Sequence, residues 1–315
     1  MPERYDEIDL SKIRTIGIGE RGSTVSLDQF GDPHKGGKLF ARWFDSLPDQ
    51  LAARDLKRLV TDMRRTLSRK TYEIIWMIGA HVVKCGLSRY LIELMKKRYV
   101  TLIAMNGAGL IHDLEIALFG ETSEDVPRNL ERGVFGFSAE TATHCFRAVS
   151  AGAEHDMGLG GSVGRYLHEE RAPNRSSSIL AEAYRLGVPV TVHIAIGTEI
   201  LIQHPGYDGA VWGSLSARDF RVFAERVNGL GNAGGVVLNV GSAVILPEVF
   251  LKAYSVARNL GAPFDRITTC DLDMIRHYRP RENVLNRPAR LGATSISLTG
   301  HHEIMIPLIY SLLLS

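Results

Sequence analysis

Histidines and carboxylates recur along this chain beside turns built of small residues. The densest instance is YVTLIAMNGAGLIHDLE, residues 99–115. Residues 100–105 form an apolar run that reads as a buried strand. Asn106-Gly107-Ala108-Gly109 reads as a tight turn, and the helix it opens carries His112, Asp113 and Glu115 in its first two turns. A strand feeding such a turn and a helix N-terminus offers backbone N–H groups and a positive dipole end to a phosphate. Asn106, Gly107, Ala108 and Gly109 are therefore expected to cradle a nucleotide, with His112 and Asp113 as a reactive pair beside it. The turn is not a strict GxGxxG, and no acidic residue closes a following strand to take a ribose. The competing reading is a strand-to-helix turn that simply needs small residues.

The other histidines extend the pattern. His81, His193, His204, His301 and His302 fall at or just after expected strand ends or helix starts. Glu199, Asp271, Asp273 and Glu303 lie near them. A carboxylate beside an imidazole selects its tautomer and tunes its pKa for proton transfer. The same pairing serves a metal. The catalytic candidates are His112, Asp113, His193, His301, His302 and Glu303. No HExxH or other compact ligand motif occurs, and side chains of the consecutive residues His301-His302-Glu303 diverge. No residue is therefore assigned to a metal, although a divalent-metal hydrolase or lyase stays open beside proton transfer.

A third group is arginine in HYRPRENVLNRPARLG, residues 277–292. Arg279, Arg281, Arg287 and Arg290 flank two prolines in what reads as a long loop. Arginine clusters suit carboxylate or phosphate, and equally a subunit contact.

These residues need elements to position them. Residues 1–47 are rich in Gly, Asp, Pro and Ser and read as an irregular arm, suited to packing on a neighbouring subunit. Residues 48–315 read as one α/β domain. Leu51, Leu56, Leu59, Val60 and Met63 set a helical period, and the basic run RDLKRLVTDMRRTLSRK (54–70) reads as that helix's wet face. A strand turns at Gly79, and a helix spans 87–97. Segment 120–170 is mostly helical. Ser176-Ser177-Ser178 caps a helix through Leu186. Strands follow at 188–197, 234–241, 265–270 and 294–299, with helices at 216–228, 247–259 and 303–314. Strands separated by helices imply a doubly wound parallel sheet, Rossmann-like in plan. Its carboxyl strand ends, Asn106–Gly109, Gly197-Thr198, Gly241-Ser242 and Asp271, line one ligand crevice.

Composition narrows the class. The 315 residues are 45% hydrophobic, and 37 Lys+Arg against 35 Asp+Glu leave a net charge of +2. That balance gives no electrostatic case for nucleic acid or an anionic membrane. The three cysteines lack zinc or redox spacing and suit a reducing compartment. The start, MPERYDEIDL, is charged and carries no leader-like apolar core, and IMIPLIYSLLL near the end falls short of the about 20 residues that span a bilayer. A cytoplasmic protein acting on a small molecule is expected.

The order of segments resembles deoxyhypusine synthase and its bacterial relatives over residues 70–315. It shows in GLSRYLIELMKKRYVTLIAMNGAGLIHDLEIAL (86–118), in SILAEAYRLGVPVTVHIAIGT (178–198), in GGVVLNVGSAVILPEVF (234–250), which looks like the family's glycine-rich NAD turn, and in YRPRENVLNRP (278–288). The resemblance implies a Rossmann-like, homotetrameric, NAD-dependent enzyme of polyamine chemistry. It would put NAD contacts on Asn106, Gly107, Ala108, Gly109 and Gly241, and extend them to Ser242, His301 and His302. The pattern also departs from the family. The segment that should bear a nucleophilic lysine reads Leu285-Asn286-Arg287-Pro288, Glu199 alone remains of the polyamine-holding acids, and the family's histidine falls at Leu246. The expectation is a relative that keeps the fold and nucleotide crevice and works by histidine-assisted proton or hydride transfer on an amine or anionic substrate. A non-catalytic binding or scaffold role is the remaining alternative.

Overall fold

The apolar runs do become strands, and they pair in one parallel sheet. The computed structural model describes residues 8–315. The strands are β1 (Ser23–Ser26), β2 (Glu73–Ile78), β3 (Leu102–Asn106), β4 (Glu121–Glu124), β5 (Val190–His193), β6 (Gly235–Val240), β7 (Ile267–Asp273) and β8 (Thr294–Thr299). Six of them form the sheet β5-β3-β2-β6-β7-β8. Counted along the sheet alone, that is the order 3-2-1-4-5-6 of dinucleotide-binding folds. The connection reverses direction between β2 and β6, whose register pairs Ile78 with Val240.

The central strands β2, β3 and β6 lack polar–apolar alternation because both faces are covered. Ile74, Trp76 and Ile78 of β2 enter one apolar layer, with Leu59 and Met63 of the Leu51–Leu67 helix and Leu110 and Leu114 of Gly107–Phe119. Ile75 and Met77 enter the other, against Phe223 of Gly209–Ala233 and Phe250 of Ile245–Asn259. The Gly107–Phe119 helix starts where the turn chemistry expects: the Asn106 side chain caps it by accepting from Gly109 N–H at 3.1 Å. Gly120, left-handed at φ 75°, ends it.

Four expectations are corrected. The arm is not irregular: among its described residues, β1 pairs antiparallel with β4, and helices form at Ile18–Arg21 and Lys38–Asp45. It packs on its own chain, with Ile16 N–H donating to Phe137 O at 2.9 Å. The part of the arm at residues 1–7, with most of the charged start, lies outside the described residues. The strand expected over 188–197 stops at His193, because residues 195–199 turn back over the sheet end. The helix expected at 216–228 runs from Gly209 to Ala233, capped by Asp208. The loop at 277–292 is helical almost throughout, with a π-helical stretch at Arg281–Asn286. There Arg279 and Lys252 both pair with Glu248. No helix among the described residues is long and apolar enough to cross a membrane.

Candidate functional site

The carboxyl ends of β3 and β5 open into a cleft of about 270 Å³, at the lower edge of the range of small-molecule sites, roughly 300–1,000 Å³. Asn106, Ala108 and His112 line it from one side, and Thr198 and Glu199 from the other. Lys84, from the short helix after β2, and Ile245, after β6, carry the lining across the point where the sheet reverses.

His112 is the end of a buried relay. Its Nδ1 lies 2.7 Å from Thr122 Oγ1, and Thr122 donates its one hydroxyl hydrogen to Glu115 Oε2 at 2.5 Å. Thr122 can then only accept from the ring, so Nδ1 carries the proton. Nε2 keeps its lone pair, and no group among the described residues uses it. Glu115, 1% exposed, is paired with Arg21, which donates to both its oxygens at 2.6 and 3.2 Å, and Thr141 donates to it at 2.7 Å. Burial, with Lys84 and Arg21 adding to it and Glu115 opposing, lowers His112 to about 4. The imidazole is neutral at ordinary pH.

The glycine turn is already in use. Glu199 accepts from Gly107 N–H at 3.2 Å and from Ala195 N–H at 3.3 Å. A Cβ on Gly107 would lie 2.0 Å from Glu199 Oε2, so only glycine lets the carboxyl reach the helix end. Burial raises Glu199 to about 7 against those two hydrogen bonds. Lys84, half-buried, has no hydrogen-bond or ion-pair partner among the described residues.

Asp113 is turned away from the cleft. It is fully buried and accepts from Ser178 Oγ at 2.5 Å, Ile179 N–H at 2.8 Å and Leu180 N–H at 2.9 Å. Burial lifts it to about 6 while those bonds pull it down. Its carboxyl thus joins Ser178 in capping the Ile179–Leu186 helix, and the pair expected at 112–113 is divided. Asp113→Ala should lower stability by about 2–4 kcal/mol, because it strands buried donors; a shift in urea midpoint reads this. A loss under 1 kcal/mol would sink the capping role.

The remaining histidines lie elsewhere. His193 is buried, Nε2 3.1 Å from Thr191 Oγ1 and its ring edge-on to Phe223, and burial lowers it to about 3. His204 Nε2 lies 2.8 Å from Gly136 O. His302, 1% exposed, sits under the bare Cα of Gly241, 3.7 Å from Asp273 and near His81. Burial lowers its pKa, and neither ring nitrogen has a hydrogen-bond partner in the structure. Asn239 donates to Asp271 at 2.8 Å and to Ser242 O at 3.0 Å, while Ser242 Oγ accepts from Leu246 N–H. Gly241, Ser242, Asp271 and His302 therefore form a second group, at the ends of β6, β7 and β8. His301 and Glu303 are exposed, 3.7 Å apart. Gly197 and Thr198 sit on the exposed turn over the cleft, where Thr198 donates to Ala195 O. Cys85 Sγ is 3.2 Å from His81, but burial and Glu303 raise its pKa and leave it a thiol.

The site residues not singled out from sequence are Arg21, Lys84, Thr122 and Thr141, together with the roles of Glu115 and Glu199. His112 and Glu115 are three apart on a helix and share a face, which was readable. Nothing near Arg21 in sequence announces a partner at position 115. Among the described residues, no group of three or more His, Cys, Asp or Glu side chains is arranged to hold a metal ion.

No family model and no curated protein matches the sequence. Solved structures match the fold. A protein provisionally assigned as a deoxyhypusine synthase from Entamoeba histolytica superposes with a TM-score of 0.54 at 12% identity, over 89% of this chain and 96% of its own. AgrE in ternary complex with ornithine and NAD+ gives 0.53 at 13%, over 89% of this chain and 34% of its own. A protein provisionally described as LOR/SDH from Methanococcus maripaludis S2 gives 0.50 at 15%, over 84% and 70%. The chain has the deoxyhypusine synthase-like fold, and it spans about a third of the length of the AgrE structures it matches.

Proposed function

We propose that this protein is an enzyme that holds an NAD-type dinucleotide along the carboxyl end of its sheet and uses His112 to accept a proton from a small amine-bearing or anionic substrate. The observation that carries the reading is the relay Arg21–Glu115–Thr122–His112. It leaves a neutral imidazole with an unshared Nε2 lone pair lining a cleft, the state a general base needs. The metal-assisted alternative has no comparable observation behind it.

The residues fit the dinucleotide. The strand order has its reversal at β2 and β6, and Asn106, Ala108 and Ile245 extend the cleft across it. Asn106–Gly109, Gly197-Thr198, Gly241-Ser242 and Asp271 would hold it, with Glu199 yielding the Gly107 N–H that it now takes. When bound, the nicotinamide would supply hydride transfer. Glu199 would face the anionic part. Its pKa of about 7 means that it repels an anion above neutrality and accommodates one below. Dinucleotide affinity should thus fall about tenfold as pH rises from about 6 to 8, one pKa unit of coupling being a factor of ten. Glu199→Gln should flatten the profile; an unchanged slope in that variant would remove Glu199 from the site.

For the substrate, the unpaired Lys84 ammonium is complementary to a molecule carrying a carboxylate. Ornithine, present with NAD+ in the AgrE structure, is of that class. The missing lysine at 285–288 argues against the family's Schiff-base transfer. Homotetrameric assembly, a cytoplasmic setting and the division into residues 1–47 and 48–315 belong to the same proposal. Thermal shift with NAD+ and NADH tests it, since a ligand bound only by the native state raises the melting temperature. If neither does, the dinucleotide reading fails, whatever the substrate.

A further inference from the structure

The basic run at 54–70 has a use that the cleft does not absorb. At the amino-terminal end of the sheet lies a separate cavity of about 210 Å³, lined by Arg58, Arg65, Arg69 and Arg266. Thr268 and Thr294, at the starts of β7 and β8, form part of its wall. We propose that this cavity binds a small, multiply charged phosphate-bearing anion of the pyrophosphate class.

Charge is the first argument. Two carboxylates face the four guanidinium groups, and both are engaged. Asp62 accepts from Thr268 Oγ1 at 2.9 Å and lies 3.7 Å from Arg58 Nε. Asp265 lies 3.8 Å from Arg266 Nε. Arg65 and Arg69 have no carboxylate partner among the described residues. Guanidinium groups match phosphate oxygens two at a time, which a lone ammonium does not.

The second argument is the placement of Arg69 at the cavity wall. Gly234, at φ +82°, precedes β6, and a Cβ there would lie 2.3 Å from Arg69 Nη1. Arg69 is half-buried, and its one hydrogen bond, to Ala233 O, is 3.4 Å long. Basic residues in a helix's last turn complement the dipole. That accounts for Arg65 at the end of the Leu51–Leu67 helix. Arg69 lies beyond that helix, and its long bond to Ala233 O sets it at the end of the Gly209–Ala233 helix, beside the start of β6, with no carboxylate to neutralise it.

The shape selects a small ligand. The guanidinium groups border one cavity instead of spreading along a surface, and a chain of net charge +2 has no extended basic field for a nucleic acid. The site is also distinct from the cleft. Seven residues of β7 separate the two ends of the sheet, about 20 Å at strand rise. The bound anion would be an effector or a structural ligand, not the substrate, and the inference does not rest on the dinucleotide reading.

Calorimetric titration of the full chain with sodium pyrophosphate and with inorganic phosphate, at fixed ionic strength, tests this. One pyrophosphate per chain is expected, bound more tightly than phosphate. Arg65→Ala, an exposed position, should weaken it about tenfold or more, the scale of a charged hydrogen bond. Arg69→Ala should do the same if it folds; Arg65→Ala decides alone if it does not. Lys84→Ala, in the cleft, should leave it unchanged. A nucleoside triphosphate binding more tightly than pyrophosphate at the same arginines would identify the nucleotide as the source of the phosphate. No binding, equal affinity in Arg65→Ala, loss in Lys84→Ala, or an oligonucleotide outcompeting pyrophosphate would each overturn it.

Discussion

Glu115→Ala should cost about 3–5 kcal/mol of folding stability, the loss seen when one partner of a buried ion pair is removed. Arg21 and Glu115 are 2% and 1% exposed. Without the carboxylate, the guanidinium keeps only a 3.3 Å bond to Ser23, and its Nε already lacks a partner. Thr122 and Thr141 lose an acceptor as well. Urea denaturation with an unchanged slope reads the loss. The cause can be separated from simple truncation. Removing both charges together, as in Arg21→Met with Glu115→Leu, should recover much of the stability, because two buried charges and their desolvation vanish at once. A single variant losing less than about 1 kcal/mol, on the scale of a surface pair, would show that the pair is not sealed from water.

His112→Gln should lower turnover by about 10²–10⁴-fold, the usual share of a positioned general base. It should leave the stabilisation by NAD+ intact, since the proposed dinucleotide contacts are backbone and small residues. Thr122→Val preserves shape and removes the hydroxyl. It should reduce turnover less, because the ring loses its acceptor at Nδ1 but keeps its lone pair. The pH profile is a further readout. His112 lowered to about 4 is a base above that value and protonated below it. Its acid limb should appear near pH 4 and disappear in His112→Gln. A limb near the ordinary imidazole value would place the base elsewhere. Turnover unchanged in His112→Gln would remove the relay from catalysis and leave it a structural network.

The same relay marks where sequence reading reached its limit. The strands at β2, β3 and β6 were legible because a doubly covered strand must be apolar at successive positions, a property carried by neighbouring residues. The Asn106 cap and the small-residue turn were legible for the same reason, since capping acts within one helical turn. From these followed the parallel sheet and its carboxyl-end crevice. The helical content of 277–292 was masked by two prolines. At Pro280 the missing N–H falls in the first turn of the helical run that begins at Tyr278, where it costs little.

What fills the crevice was settled by contacts across the chain. Arg21 meets Glu115 from 94 residues away, through an arm whose composition looked like loop. Asp113, adjacent to His112, points to a different helix because successive helical side chains diverge by about 100°. Glu199 occupies the cradle because β5 ends at His193 and the next turn folds back onto Gly107. The sequence by itself determined which segments are strands, which turns are tight and that histidine and acid crowd the sheet's carboxyl end. The tertiary structure alone decided that His112 is the cleft's histidine, that His193 and His302 are packed elsewhere, and which charges are paired. Local structure follows from residues a few positions apart, whereas a site is made by whichever side chains the strand order and close packing bring within hydrogen-bond reach.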